Sequence, residues 1–249
     1  KIHKDTEGKP FDYSWEYRSV IGKMNFLEKS TRGEIAFSVH QCARFMASPM
    51  RSHGEAVKRI GRYLLGTRDK GYIIKPDVSK SFECYMDADY CGNWDPLHSD
   101  DPNSAKSRSG YVIMYHGCPI VWASRLQTVF ALSTAEAEYI ALSTALRDVI
   151  PMMDLLQELK DQGYDVASTP TIKCKLFEDN SGAREQARVA KYRPRTRHIN
   201  SAWHHFRSYV AAGLIRILPI CTDWQLGDTF TKQVTREDFV RFRKLIFGW

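Results

Sequence analysis

The spacing of apolar residues changes character near residue 78. Before that point it follows a helical period. Val57, Ile60, Tyr63, Leu64 and Leu65 recur at three- and four-residue steps, which predicts a helix from just after Pro49 through Leu65. Two more helices are predicted upstream, from near Tyr17 to Glu28 and from about Glu34 to Met46. The segment KGYIIKPDVSK then reads as a linker.

Beyond it the pattern shortens to strand-like runs. Phe82, Cys84 and Met86 precede Asp87, GYVIMYHGCPIVWAS reads as a hairpin around a His116-Gly117 turn, and Ile172, Cys174, Leu176 and Phe177 lead to Asp179. Between them Ala137, Ile140, Ala141, Ala145, Leu146 and Val149 mark a helix, with Ser133 or Thr134 as its cap. After Asp179 the expected order is a short helix SGAREQARVA, a longer one over NSAWHHFRSYVAAG closed by Gly213, a strand LIRILPI, and a C-terminal helix opened by Thr-x-x-Asp at Thr235. Trp122, Trp203 and Trp224 read as core residues. Two parts are therefore expected, a helical one over 1–78 and an α/β one over 79–249.

Composition narrows the function classes. The chain has 249 residues, 43% of them hydrophobic, enough for a buried core. A mean hydropathy of −0.42, and no apolar run near eighteen residues, argue against a membrane span. The six cysteines include no C-x-x-C pair, so neither a zinc site nor a disulfide framework is expected. A net charge of +7 and a pI of about 9.1 point to a polyanionic partner. The densest basic stretch is AREQARVAKYRPRTRH, where Arg184, Arg188, Lys191, Arg193, Arg195, Arg197 and His198 surround Tyr192, a stacking surface for a base. A second set, Lys58, Arg59, Arg62, Arg68 and Lys70, flanks the apolar face of the third helix, as either a solvated surface or a track for a phosphate backbone.

Four carboxylates stand out by their contexts. Asp87 and Asp179 close apolar runs, where a buried strand would end; Glu138 falls beside the apolar stripe of its helix; Asp228 sits in LGDTFTK. Glu136 cannot share a face with Glu138, because residues two apart on a helix point away from each other, so Glu136 reads as a first-turn acid. Taken singly, each acid has a plainer reading. Asp179 in D-N-S-G suits a turn or helix cap, Asp87 or Asp89 suits a cap for the turn at Cys91-Gly92, and Asp228 suits an exposed site on a short helix. Gathered together they would repel unless cations neutralised them, and Mg²⁺ or Mn²⁺ does so.

These motifs resemble the C-terminal part of copia-type LTR retrotransposon polyproteins: the end of the reverse transcriptase followed by its ribonuclease H domain. DADY-CG at Asp87, SRSGYVIMYHGCPIVWAS, ALSTAEAEYIALSTA, LFEDNSGA, RPRTRHI and LGDTFTK occur in family order, and residues 1–78 are similar to the helical thumb and connection. No polymerase palm signature is present, so DNA synthesis by this chain alone is not expected. The resemblance implies a ribonuclease H-like fold, a mixed five-stranded sheet flanked by helices and preceded by the helical thumb/connection-like segment. It also implies two-metal hydrolysis of the RNA strand of RNA–DNA hybrids, with Asp87, Glu138, Asp179 and Asp228 as catalytic residues and ligands of two Mg²⁺ or Mn²⁺ ions, Asp87 bridging. The implied partners are the hybrid and the rest of the polyprotein, its polymerase palm and fingers and its integrase. The implied setting is intracellular, in a cytoplasmic virus-like particle or the nucleus.

The chain departs from the family in an acidic stretch, DPLHSDDPNSAKS, and in Asn200 after His198-Ile199. His198, His204 and His205 are either proton shuttles or boundary residues of the fold. The rival of another class is a non-catalytic nucleic-acid-binding remnant of a retroelement polyprotein; an integrase or transposase core, lacking this order of acids, is a more distant one.

Overall fold

The computed structural model describes residues 2–98, 101–188 and 204–249. It begins with helices α1 (Tyr17–Ser30), α2 (Ala36–Ala43) and α3 (Arg51–Gly66). Their inward positions, among them Ile21, Met24, Val39, Cys42, Val57 and Ile60, close on one another with Phe11 and Ile35 in one apolar cluster. The helix expected from Glu34 is divided, since Gly33–Ile35 forms a tighter 3-10 turn before α2.

Strands β1 (Phe82–Asp89), β2 (Arg108–Tyr115) and β3 (Cys118–Leu126) form an antiparallel meander. The β2–β3 hairpin turns at His116 and Gly117, whose φ angles of 50° and 75° are those of a type I′ turn. Helix α4 (Thr134–Asp161) then covers one face. Strands β4 (Cys174–Glu178) and β5 (Ile215–Pro219) join in parallel, giving the order β3-β2-β1-β4-β5. This mixed five-stranded sheet with flanking helices is the ribonuclease H-like architecture expected from the sequence.

Alternation along the strands sorts side chains between the two faces. Tyr111 and Ile113 of β2 join Cys84, Met86, Leu142 and Leu146 under α4, with α5 (Ser181–Arg188) and α6 (Arg207–Ala211) beside it. Val112 and Met114 face the other way, onto Phe230 of α7 (Asp228–Thr231) and Phe242, Ile246 and Phe247 of α8 (Arg236–Phe247). Ala36 of α2 belongs to this second cluster, so the N-terminal helices rest directly on the back of the sheet.

Two expectations are corrected. Among the described residues the helix over NSAWHHFRSYVAAG is only Arg207–Ala211: the His204 carbonyl accepts from the Arg207 N–H at 3.1 Å in a tight turn, and Phe206 drops into the core. Trp224 is 55% exposed, with the Arg241 guanidinium 5.5 Å from its ring centroid; Trp203 lies outside the described residues. Cys42, Cys84, Cys118 and Cys174 are buried as free thiols. Among the described residues no helix is long and apolar enough to cross a membrane.

Candidate metal centre

Strands β1 and β4 are paired only from Phe82–Tyr85 against Cys174–Phe177. Past Tyr85 and Phe177 they part, and a parallel pair that opens at its carboxyl end leaves a crevice there. Asp87 and Asp179 stand at its two lips. Asp87 has the parity of Tyr85, away from α4, while Glu138 comes from α4 on the opposite face and accepts from the Ala88 main-chain N–H. One carboxylate oxygen of each of Asp87, Glu138 and Asp179 lies within 4.8 Å of the others. The fourth predicted acid, Asp228, stands next to them through a shared cation. Lys232 Nζ is 2.9 Å from Asp228 Oδ1 and 3.8 Å from Asp87 Oδ2.

Local sequence explains why these acids, and not their neighbours, converge. The roles of turn and cap fall on other residues. Asn180 Oδ1 accepts from Ala183 N–H at 3.0 Å and caps α5, which leaves Asp179 to accept from the Thr222 hydroxyl at 3.0 Å. The Asp89 carboxylate folds back over Gly92 at the turn that follows β1. Ser133 caps α4, taking Glu136 N–H at 3.2 Å, and Glu136 accepts from Leu132 N–H at 2.9 Å. That reciprocal capping turns Glu136 toward the helix end, and Glu138, two residues on, faces the crevice.

Two glycines set how closely α7 approaches β1. A Cβ on Gly227 would stand 2.8 Å from the Asp87 main-chain nitrogen, and one on Gly110, opposite Asp87 in β2, would stand 2.7 Å from Phe230 Cβ. This close approach brings Asp228 beside Asp87 and lets the Thr231 hydroxyl donate to Asp87 Oδ2. Gly227→Ala is expected to cost the roughly 1–3 kcal/mol of an overpacked site and to weaken Mg²⁺ binding. Thermal unfolding and a Mg²⁺ titration would check this, and wild-type values in both would show that the contact is slack.

Burial governs the electrostatics of the cluster. It raises the pKa of Asp87 against the lowering effect of Lys232. It raises Glu138 well above the carboxylate range, helped by the charges of Asp87, Glu178 and Asp179. Asp228 is pushed up to about 7, by burial first and the Asp87 charge second. Glu178, fully buried on the α4 side of β4, is pushed up to about 8, by burial first. Such a group of acids holds protons near neutral pH unless a cation replaces them. The donors are all carboxylate oxygens, the chemistry of a Mg²⁺ or Mn²⁺ site, and among the described residues Glu138 Oε2 is buried with no hydrogen-bond partner. The residues present therefore fit a divalent cation.

Four contributors were not singled out in the sequence: Glu178, Thr222, Thr231 and Lys232. Two had a signal. Glu178 shares the strand parity of Cys174 and Leu176, an acid at a core position, and Lys232 lies four residues after Asp228, where a helical turn pairs them. The predicted basic residues fare differently. Arg184 donates to the Glu178 carbonyl at 2.9 Å and Arg188 to the Ile217 carbonyl at 2.7 Å, so part of each guanidinium braces β4 and β5. Lys191, Arg193, Arg195, Arg197 and His198 lie outside the described residues. His204 Nδ1 is 2.6 Å from the Tyr139 hydroxyl, and burial lowers its pKa; His205 Nδ1 is 3.4 Å from the Ser143 hydroxyl.

Comparison with known proteins identifies the lineage of this arrangement. The chain is 32% identical over 231 residues, 93% of its length, to the retrovirus-related Pol polyprotein from transposon RE2 of Arabidopsis thaliana. It is likewise 32% identical over 230 residues to that from transposon TNT 1-94 of Nicotiana tabacum. The chain belongs to the copia-type retrovirus-related Pol polyproteins. It spans 15% of the RE2 polyprotein and 16% of the TNT 1-94 polyprotein. No family model matches it. Among solved structures it is similar to LC11-RNase H1, isolated from compost by a metagenomic approach, at 16% identity and a TM-score of 0.36, covering 67% of this chain and 92% of that one. The five-stranded topology and the acids at its crevice make this copia-type Pol segment a ribonuclease H-like domain with a helical segment in front.

Proposed function

We propose that this segment of a copia-type Pol polyprotein hydrolyses the RNA strand of RNA–DNA hybrids during reverse transcription, using two Mg²⁺ or Mn²⁺ ions. The observation that carries this reading is the meeting of Asp87, Glu138 and Asp179, from three separate elements, at the carboxyl end of a parallel strand pair. Asp87, Glu138 and Asp179 are the metal-holding set, with Asp228 completing it on the Lys232 side. When bound, the metals supply an activated water and stabilisation of the leaving oxygen. The chain's own residues do the positioning. Thr231 and Thr222 fix the carboxylates of Asp87 and Asp179, and the Ala88 N–H holds Glu138. Lys232 offsets the charge of Asp87 and Asp228.

In this reading residues 1–78 are the thumb/connection-like part of the reverse transcriptase and 79–249 the ribonuclease H domain. The partners are the hybrid, through the basic stretch from Arg184 to His198, and the palm, fingers and integrase of the polyprotein. The setting is intracellular, in a virus-like particle or the nucleus.

The test is cleavage of an end-labelled RNA–DNA hybrid in Mg²⁺, Mn²⁺ or EDTA, beside single-stranded RNA and duplex DNA. Asp179→Asn, which removes a ligand charge at constant size, is expected to lower the rate on the order of a hundred- to a thousandfold while leaving hybrid affinity in place. Metal-dependent cutting confined to the RNA strand of the hybrid, lost in the variant, supports the proposal. Tight binding with no cutting by the wild type points instead to a non-catalytic nucleic-acid-binding module.

A further inference from the structure

A groove of about 920 Å³ lies between the N-terminal helices and the start of α8, and it leads away from the metal centre. One end is lined by Thr229, Lys232 and Asp89, and Lys232 is the cation already bound to Asp228. The floor is apolar, with Ile35, Phe37 and Ile60. At the far wall Tyr63 and Phe239 pack edge to face, their centroids 5.9 Å apart.

The charges on this groove are unevenly satisfied. Each of its three carboxylates is engaged. Glu34 is 2.7 Å from Arg32 Nε, Glu55 is 3.2 Å from Lys58 Nζ, and Asp89 is folded over Gly92 while attracting Arg108. Its three arginines are not. Arg59 and Arg62 of α3 and Arg236 of α8 are exposed, and among the described residues they make no hydrogen bond or ion pair. Guanidinium groups left without carboxylates, along a channel that begins at a nuclease-like centre, have the charge and the donor geometry to receive phosphates, and the apolar floor and aromatic wall suit sugars and bases.

We propose that this groove receives the phosphate backbone of a polynucleotide strand leaving the metal centre, with Arg59, Arg62 and Arg236 as its phosphate contacts. The N-terminal helices are then one wall of the substrate channel. This inference rests on the proposed ribonuclease H reading for the direction in which the strand runs.

Binding and cutting separate the two ideas. Hybrid affinity is measured in EDTA across a salt series for the full chain, for Arg59→Ala/Arg62→Ala/Arg236→Ala, for Arg62→Ala alone, and for a control triple, Lys23→Ala/Lys29→Ala/Lys173→Ala, whose exposed lysines lie off the groove. The groove triple is expected to bind at least about tenfold more weakly and to lose about 2–3 units of the log–log salt slope, with a loss of about one unit for Arg62→Ala. The control triple should change both less. Equal losses in the two triples, or wild-type affinity and slope in the groove triple, overturn the proposal whatever the cleavage assay shows. A wild type that binds through the groove arginines yet cuts no hybrid in Mg²⁺ overturns the nuclease reading and leaves the groove standing.

Discussion

Asp87→Asn is expected to give a folded protein that no longer cuts hybrid and that, without metal, melts at a higher temperature than the wild type. The two effects have one cause. Asp87 is 3% exposed, and burial is the largest influence on its carboxyl group. Its ionised form is a cost to the metal-free fold, repaid only in part by Thr231 and Lys232. Asparagine keeps the size and an acceptor for the Thr231 hydroxyl but removes the charge, so it relieves repulsion with Asp179 and Asp228. The same change takes away the central ligand of the metal set, and cleavage should fall by about a thousandfold or more. Thermal unfolding in EDTA at about pH 8 and a hybrid-cleavage assay in Mg²⁺ check the pair. A variant that melts lower than the wild type in EDTA would mean that Asp87 is held chiefly by its partners and not opposed by its burial. One that cuts at the wild-type rate would remove Asp87 from the site.

The second large effect is a reversal of pH dependence by metal. Asp228 is raised from 3.8 to about 7 and Glu178 from 4.5 to about 8, with Glu138 also raised. Because the folded state holds these protons more tightly than the unfolded chain, it binds more protons across that interval, and stability falls as pH rises from about 4 to about 8. Below that window the acids are protonated in both states and nothing has been lost; above it the loss is complete. Each unit of raised pKa corresponds to about 1.4 kcal/mol, and since the groups share one cluster the joint loss is on the order of several kcal/mol. Mg²⁺ demands deprotonated ligands, so its stabilisation should grow over the same interval. Melting temperatures at about pH 5.5 and about pH 8, each with EDTA or Mg²⁺, are expected to diverge at the higher pH and nearly coincide at the lower. If Mg²⁺ leaves the melting temperature unchanged at the higher pH, the acids are not a metal site.

Much of the architecture could be read in the order of residues because it rests on local rules. The two-residue period of Phe82, Cys84 and Met86, the His116-Gly117 turn, the Ser133 cap and the Thr235 cap each gave an element the structure contains, with Ser133 and Thr235 taking the N–H groups of Glu136 and Asp238. The choice of Glu138 over Glu136 followed from the helical period, and the structure turns them as that period requires. Reading failed where local rules were overruled. Phe206 is drawn into the core and delays α6 to Arg207, and Trp224 is left outside under Arg241.

The sequence by itself determined the elements and nominated the four acids, because hydrophobic period, caps and turns act over a few residues. Only the tertiary structure decided which polar groups became a site. The partition of Asp179 and Asn180 between cluster and cap depends on Thr222, which lies 43 residues from Asp179 in sequence. The meeting of Asp228 and Asp87 depends on a glycine pressed against β1. The burial that lifts Glu178 to about 8 depends on side chains of α4 and α5 closing with those of β4 into one apolar cluster. Contacts of that kind are set by which faces pack and how closely, and carboxylate chemistry follows from desolvation and neighbouring charge, quantities that exist only once the chain has closed on itself.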